Sequence, residues 1–110
     1  MSNQPFSIKK TADTNMYVVY TASGAINTNS APIFEKTLEN AVRQADLNEQ
    51  ASICVNMAAV TFLSSMGIRV ILASFKKAKA RKIEFYLECL PENVRNVIGM
   101  VALDQLMVRS

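Results

Sequence analysis

The alternation of apolar and polar positions divides the 110-residue chain into a series of strands and helices. Phe6 and Ile8, then Tyr17 to Thr21, form two short stretches around the polar segment TADTN, the pattern of an antiparallel hairpin. Gly24 is expected to close the second strand. From Ala31 to Ala45, the apolar residues Ile33, Phe34, Leu38, Ala41, Val42 and Ala45 recur at helical spacing, with Glu35, Lys36, Glu39, Arg43 and Gln44 turned away from them. Ser30 is positioned to cap this helix, Pro32 suits its first turn, and Glu39 precedes Arg43 by one turn in the favourable orientation.

SICVNMAAV, Ser52 to Val60, is almost continuously apolar and carries β-branched residues, as expected of a central strand buried on both faces. Ile68, Ile71, Leu72, Phe75 and Ala78 mark a second helix. Ile83 to Leu90 then alternates through Phe85, Leu87 and Cys89 as a further strand. A strand, helix, strand unit joins parallel neighbours through a right-handed crossover. Pro91 and Glu92 open a third helix through Val94, Val97, Ile98 and Val101, and the ending LDQLMVRS predicts a last helical turn and a short tail. The expected fold is an α/β sandwich over residues 1–110 as one domain, with the first two helices on the same side of the sheet and the other side less covered.

Composition narrows the classes. Half of the residues are hydrophobic and about a fifth are charged, the balance of a globular chain. The N-terminal MSNQPFSIKK has no long apolar core, and no stretch approaches the roughly 18 apolar residues of a membrane span, so a cytoplasmic protein without a span is expected. Cys54 and Cys89 fall in apolar strand-like runs, where cysteine behaves as a small buried hydrophobe. The net charge of +3 conceals a cluster of Arg69, Lys76, Lys77, Lys79, Arg81 and Lys82 with no acid among them. Nucleic-acid surfaces interleave such cations with stacking aromatics, whereas Phe75 belongs to the apolar side here. The cluster therefore reads as a solvated helix end complementing the helix dipole, with no direct nucleic-acid contact.

Candidate chemistry is limited. There is no histidine, which removes the usual base for a serine nucleophile and the usual nitrogen ligand for transition metals. Gly24, Gly67 and Gly99 are too scattered to cradle a phosphate, so no cofactor is expected. Glu35 and Glu39 share an exposed helix face rather than forming an acid and base pair. Met57, Met100 and Met107 are expected to fill core gaps, leaving Met66 as the surface methionine. The informative stretch is VTFLSSMGIRVIL, Val60 to Leu72, where Ser64 and Ser65 separate a strand from a helix. Capping, in which a hydroxyl before the helix accepts from an orphan amide two or three residues on, explains one of the two. The alternative is a phosphate acceptor, since phosphorylation would place about −1.5 to −2 charges and three acceptor oxygens at a helix start.

That stretch, together with SGAIN (Ser23 to Asn27), ICVNMAAV (Ile53 to Val60) and ALDQLM (Ala102 to Met107), resembles the STAS domain over nearly the whole chain, most closely the single-domain bacterial anti-sigma factor antagonists. The resemblance implies an α/β, STAS-like sandwich: a mixed β-sheet of four to five strands with helices packed mainly on one face. It also implies a partner-switching module without enzymatic activity. In such modules a GHKL-type serine kinase that is itself the anti-sigma factor phosphorylates the antagonist and a phosphatase reverses the change. The unmodified antagonist binds the kinase and frees the sigma factor. Matched residue by residue, the acceptor is Ser65, with Ser64 as runner-up, and the partner-binding positions are Asn27, Ser64, Met66, Gly67 and Arg69. Asn27, Asn56 and Ser64 stand where the family often has aspartate. Met66 replaces a small residue and reads as a partner contact or as local packing. A second job on the same fold is a cytoplasmic STAS accessory subunit of an ATP-driven lipid transporter, for which the basic second helix and Met66 are suited.

Overall fold

The computed structural model describes residues 5–101 and 107–109. Its elements run β1 (Ser7–Asp13), β2 (Tyr17–Ile26), α1 (Ala31–Leu47), β3 (Ser52–Leu63), α2 (Ser65–Ala80), β4 (Glu84–Glu88), α3 (Glu92–Val101) and β5 (Met107–Arg109). The five strands lie in chain order in one mixed sheet. β1 and β2 are antiparallel because only a short turn joins them, whereas each later pair is parallel and is joined through a helix. A sheet that grows in one direction by crossovers of one hand collects its helices on one face.

On that face Val18, Tyr20 and Ala22 of β2, Ile53, Val55 and Met57 of β3, and Phe85 and Leu87 of β4 are buried. They meet Phe34, Leu38, Ala41 and Ala45 of α1, Ile68, Ile71 and Ala78 of α2, and Val94 and Ile98 of α3 in one cluster. Phe6 closes the rim edge-on against Phe34, with ring centroids 5.8 Å apart. Burial holds the Tyr20 hydroxyl above its ordinary pKa, with smaller effects from Lys10 and Asp13. α1 and α2 are also linked at their surface by Lys77 to Glu39 at 2.8 Å and Arg81 to Asp46 at 2.6 Å. The opposite face of the sheet bears Tyr17, Val19, Ser52, Cys54 and Glu88, which line a shallow groove. Between β1 and β2, hydroxyl pairs Ser7–Ser23 and Thr11–Thr21 meet at 2.7 and 2.9 Å.

The strand starts are tied together by Gln50, which is only 6% exposed. Its Nε2 donates to Asp13 Oδ1 at 2.6 Å and to the Thr14 carbonyl at 2.8 Å, and the Ala51 amide donates to the Met16 carbonyl at 2.7 Å. The Gln50 bond, then the bond from Lys10, holds the Asp13 carboxyl below its ordinary pKa.

Several expectations are corrected. β2 passes through Gly24 to Ile26; Gly24 has φ 83°, a left-handed conformation suited to glycine, beside a register shift rather than at a strand end. The chain end adds a strand, because residues 107–109 pair with Tyr86–Glu88; residues 102–106, where most of the expected last turn falls, lie outside the described residues. Cys89 is exposed at φ 58° just beyond β4, unlike buried Cys54. Ile33 is exposed, so the apolar stripe of α1 is narrower than its sequence period suggests. β3 is buried on both faces only through Ile53–Val55, since no helix layer covers the second face; Ala58, Ala59, Thr61 and Phe62 are exposed. Glu39 pairs with Lys77 across the helices instead of with Arg43, which lowers its carboxyl pKa. Met57 is fully buried as expected, but Met16 joins Met66 at the surface; the side chains of Met100 and Met107 lie outside the described set.

Candidate functional site

The parallel ends of β2 and β3 are bound together where the Ser64 amide donates to the Ile26 carbonyl at 2.9 Å. This bond brings the loop after β2, starting at Asn27, beside the turn into α2. In that loop the Asn27 Oδ1 accepts from the amides of Asn29 and Ser30 at 2.9 and 3.0 Å, an Asx-type turn. Ser30 occupies the N-cap of α1 but does not cap it with its side chain. Its hydroxyl instead accepts from the Asn27 amide and donates to the Ala25 carbonyl at 2.8 Å, closing the loop on itself.

The paired serines divide their roles. Ser64 is extended at the N-cap of α2, and its hydroxyl accepts from the Gly67 amide at 3.2 Å. That satisfies one of the first-turn amides that an α-helix leaves without an internal acceptor. Ser65 is the first residue of the helix and is exposed. Among the described residues its hydroxyl shows no hydrogen-bond partner within the protein.

Gly67 explains how the helix comes so close. A Cβ on Gly67 would lie 2.6 Å from Leu63 Cδ1 and 2.7 Å from Ile26 Cγ2, inside normal contact distance. The missing side chain lets α2 seat directly on the ends of both strands and fixes where Ser65 emerges. Met66 projects from the same turn at 41% exposure, with Phe62 at 51% and Ile33 of the neighbouring helix start at 58%. Arg69 is exposed one turn into α2 and forms no ion pair among the described residues.

The structure thus gathers Asn27, Ser64, Ser65, Met66, Gly67 and Arg69 at one end of the molecule. Asn56 is not among them. It lies in β3 opposite Thr21 and Glu88, where its Oδ1 accepts from the Ala58 amide at 2.9 Å beside the register shift of that strand. Both asparagines use an amide oxygen where a carboxylate oxygen would serve equally, so the turns survive without negative charge. Phe62 and Ile33 were hidden in the sequence by apolar neighbours. The strand parity around Phe62 changes at the shifts in register, which hydrophobicity alone does not reveal.

A groove of about 560 Å³ on the outer side of α1, lined by Tyr20, Ile33, Lys36, Thr37, Asn40 and Arg43, shares none of the serine-turn residues. Among the described residues no group of three or more histidine, cysteine, aspartate or glutamate side chains is arranged to hold a metal ion. No helix of the described residues is long and apolar enough to cross a membrane.

Comparison with known proteins agrees with this architecture. A family model described as the STAS domain matches residues 7–109. No relative of curated function matches the sequence. Among solved structures, an anti-sigma factor antagonist from Mycobacterium paratuberculosis is 23% identical, with a TM-score of 0.76, covering 93% of this chain and 85% of that one. The Bacillus cell fate determinant SpoIIAA in its phosphorylated form is 18% identical, with a TM-score of 0.69 over 96% of this chain and 92% of that one. A murine Solute Carrier 26 family anion transporter is 14% identical at a TM-score of 0.72, over 84% of this chain but only 16% of the transporter. At these identities the likeness is one of fold.

Proposed function

Because the chain belongs to the STAS domain family, we propose that it acts as an anti-sigma factor antagonist controlled by phosphorylation of Ser65. The observation that carries this reading is the exposed Ser65 hydroxyl at the start of α2, beside Asn27 and Ser64, whose side chains are engaged in holding the backbone. Transfer from ATP forms a bond from Ser65 Oγ to the γ-phosphorus, breaks the bond from that phosphorus to the oxygen that leaves with ADP, and passes the hydroxyl proton to a base of the kinase. A phosphatase adds water across the new bond and returns serine and inorganic phosphate.

In this reading residues 1–110 act as a single cytoplasmic STAS domain with no enzymatic activity and no cofactor. The unmodified surface of Asn27, Ser64, Met66, Gly67 and Arg69, extended by Phe62 and Ile33, docks on a GHKL-type serine kinase that is also the anti-sigma factor. Desolvating the exposed apolar side chains supplies attraction, and the phosphate opposes it by placing charge and bulk in the same contact. Gly67 contributes by setting the helix position. Release of the sigma factor follows from occupancy of the kinase.

The test is to incubate the purified chain with its candidate GHKL-type kinase and ATP and to measure intact mass. One added phosphoryl group, absent in Ser65→Ala, is expected. Modification elsewhere with Ser65 untouched defeats the switch. Copurification with a transporter ATPase in place of such a kinase replaces this reading with the lipid-transporter accessory role.

A further inference from the structure

We propose that Arg69 is the residue that holds the phosphate on Ser65, a positioning role that rests on the reading of Ser65 as the acceptor. The charge pattern of α2 motivates it. The helix has no acidic residue in its first turn, while Lys77 and Lys79 occupy its last turn. Cations at the last turn complement the helix dipole, but one near the first turn opposes it. Lys77 and Arg81 are paired with Glu39 and Asp46, whereas Arg69 has no ion pair among the described residues. An exposed guanidinium is thus kept close to the wrong end of a helix without an anion beside it.

Geometry supplies the link to Ser65. Residues four apart share a helix face, and side chains lean toward the N-terminus of their helix, so Arg69 covers the turn that begins at Ser65. Asn27 offers this end an amide rather than a carboxylate, and the Ser64 hydroxyl is already occupied by the Gly67 amide. A phosphate on Ser65 provides the missing first-turn anion, and the planar guanidinium matches two of its oxygens. The modified state is therefore a helix start whose added charge is partly offset by the guanidinium.

The test uses the full chain with phosphoserine incorporated at position 65 during synthesis, which requires no kinase. The second ionisation of the phosphate is followed by phosphorus NMR against pH. Arg69→Gln is expected to raise the midpoint by about 0.3 pH unit, with Arg69→Lys restoring part of the difference and salt diminishing it. Lys76→Gln, which removes another exposed charge of α2, is expected to leave the midpoint in place. An unchanged midpoint in Arg69→Gln overturns the proposal, as does an equal shift in Lys76→Gln. Failure of a kinase to modify Ser65 defeats the proposed function without altering this titration, and a flat titration leaves the acceptor chemistry intact.

Discussion

The two ends of the parallel strands make an instructive pair. At the end where β2 and β3 begin, Met16, Tyr17 and Leu47 are exposed; at the end where they finish, Ile33, Phe62 and Met66 are exposed. Surface apolar residues therefore do not distinguish one end from the other. Polar groups do. Gln50 is buried and spends its amide on the hairpin, whereas Ser65 stands in solvent beyond a turn that Ser64 and Asn27 already hold together. At the first end the fold accounts for Gln50, and at the second it leaves the Ser65 hydroxyl unused.

The sharpest test of that contrast exchanges the two residues' roles. Ser65→Ala should abolish phosphoryl acceptance while moving the urea midpoint very little, because an exposed hydroxyl without partners is removed. Gln50→Ala should leave acceptance intact yet cost about 1–3 kcal/mol of stability, since it strips partners from part-buried groups. The reverse outcome at either residue breaks the distinction.

Gly67→Ala comes next in size. Better helix propensity is worth up to about 1 kcal/mol, but overpacking costs about 1–3 kcal/mol, and the β-branched Ile26 methyl yields less easily than the Leu63 tip. A net loss of about 1 kcal/mol is expected in denaturant titration, with a slower kinase reaction as Ser65 shifts. Ser64→Ala should cost about 1 kcal/mol through the lost cap without removing the acceptor. If mass spectrometry finds that Ser64→Ala, rather than Ser65→Ala, loses the phosphate, the two serines trade assignments.

The smallest effect is on pH dependence. Asp13, bonded to Gln50, and Glu39, bonded to Lys77, are both held below their ordinary pKa values in the folded chain. Their stabilisation is therefore complete above the ordinary carboxylate range near about pH 4 and is lost as pH falls through the lower folded values. Thermal melts should show a shallow acid decline that flattens in Gln50→Ala. Neither carboxylate lies in the serine turn, so binding there should not follow this decline.

Much of the fold was legible because period and length carry it. The helical spacing of Phe34, Leu38, Ala41 and Ala45 survives as the buried face of α1, and the strand, helix, strand order dictates parallel neighbours. Edges were less legible. Ile33 sits at the boundary of the apolar stripe, Cys89 one residue past a strand, and Gly24 within a strand whose register shifts; in each case hydrophobicity continues while geometry changes. Of the serine turn, the helix start was readable from residue types, but its attachment to the end of β2 was not. That depended on the Ser64 amide reaching Ile26, a contact between residues far apart in the chain.

By itself the order of residues determined the elements from β1 to α3, the mixed sheet and the presence of paired hydroxyls at a strand-to-helix junction, because backbone periodicity and capping preferences act over a few neighbours. Only tertiary structure decided that Asn27 stands beside that junction while Asn56 does not, and that Gly67 is the point where α2 rests on two strands. Register and close packing are settled between distant segments, where local pattern has no purchase.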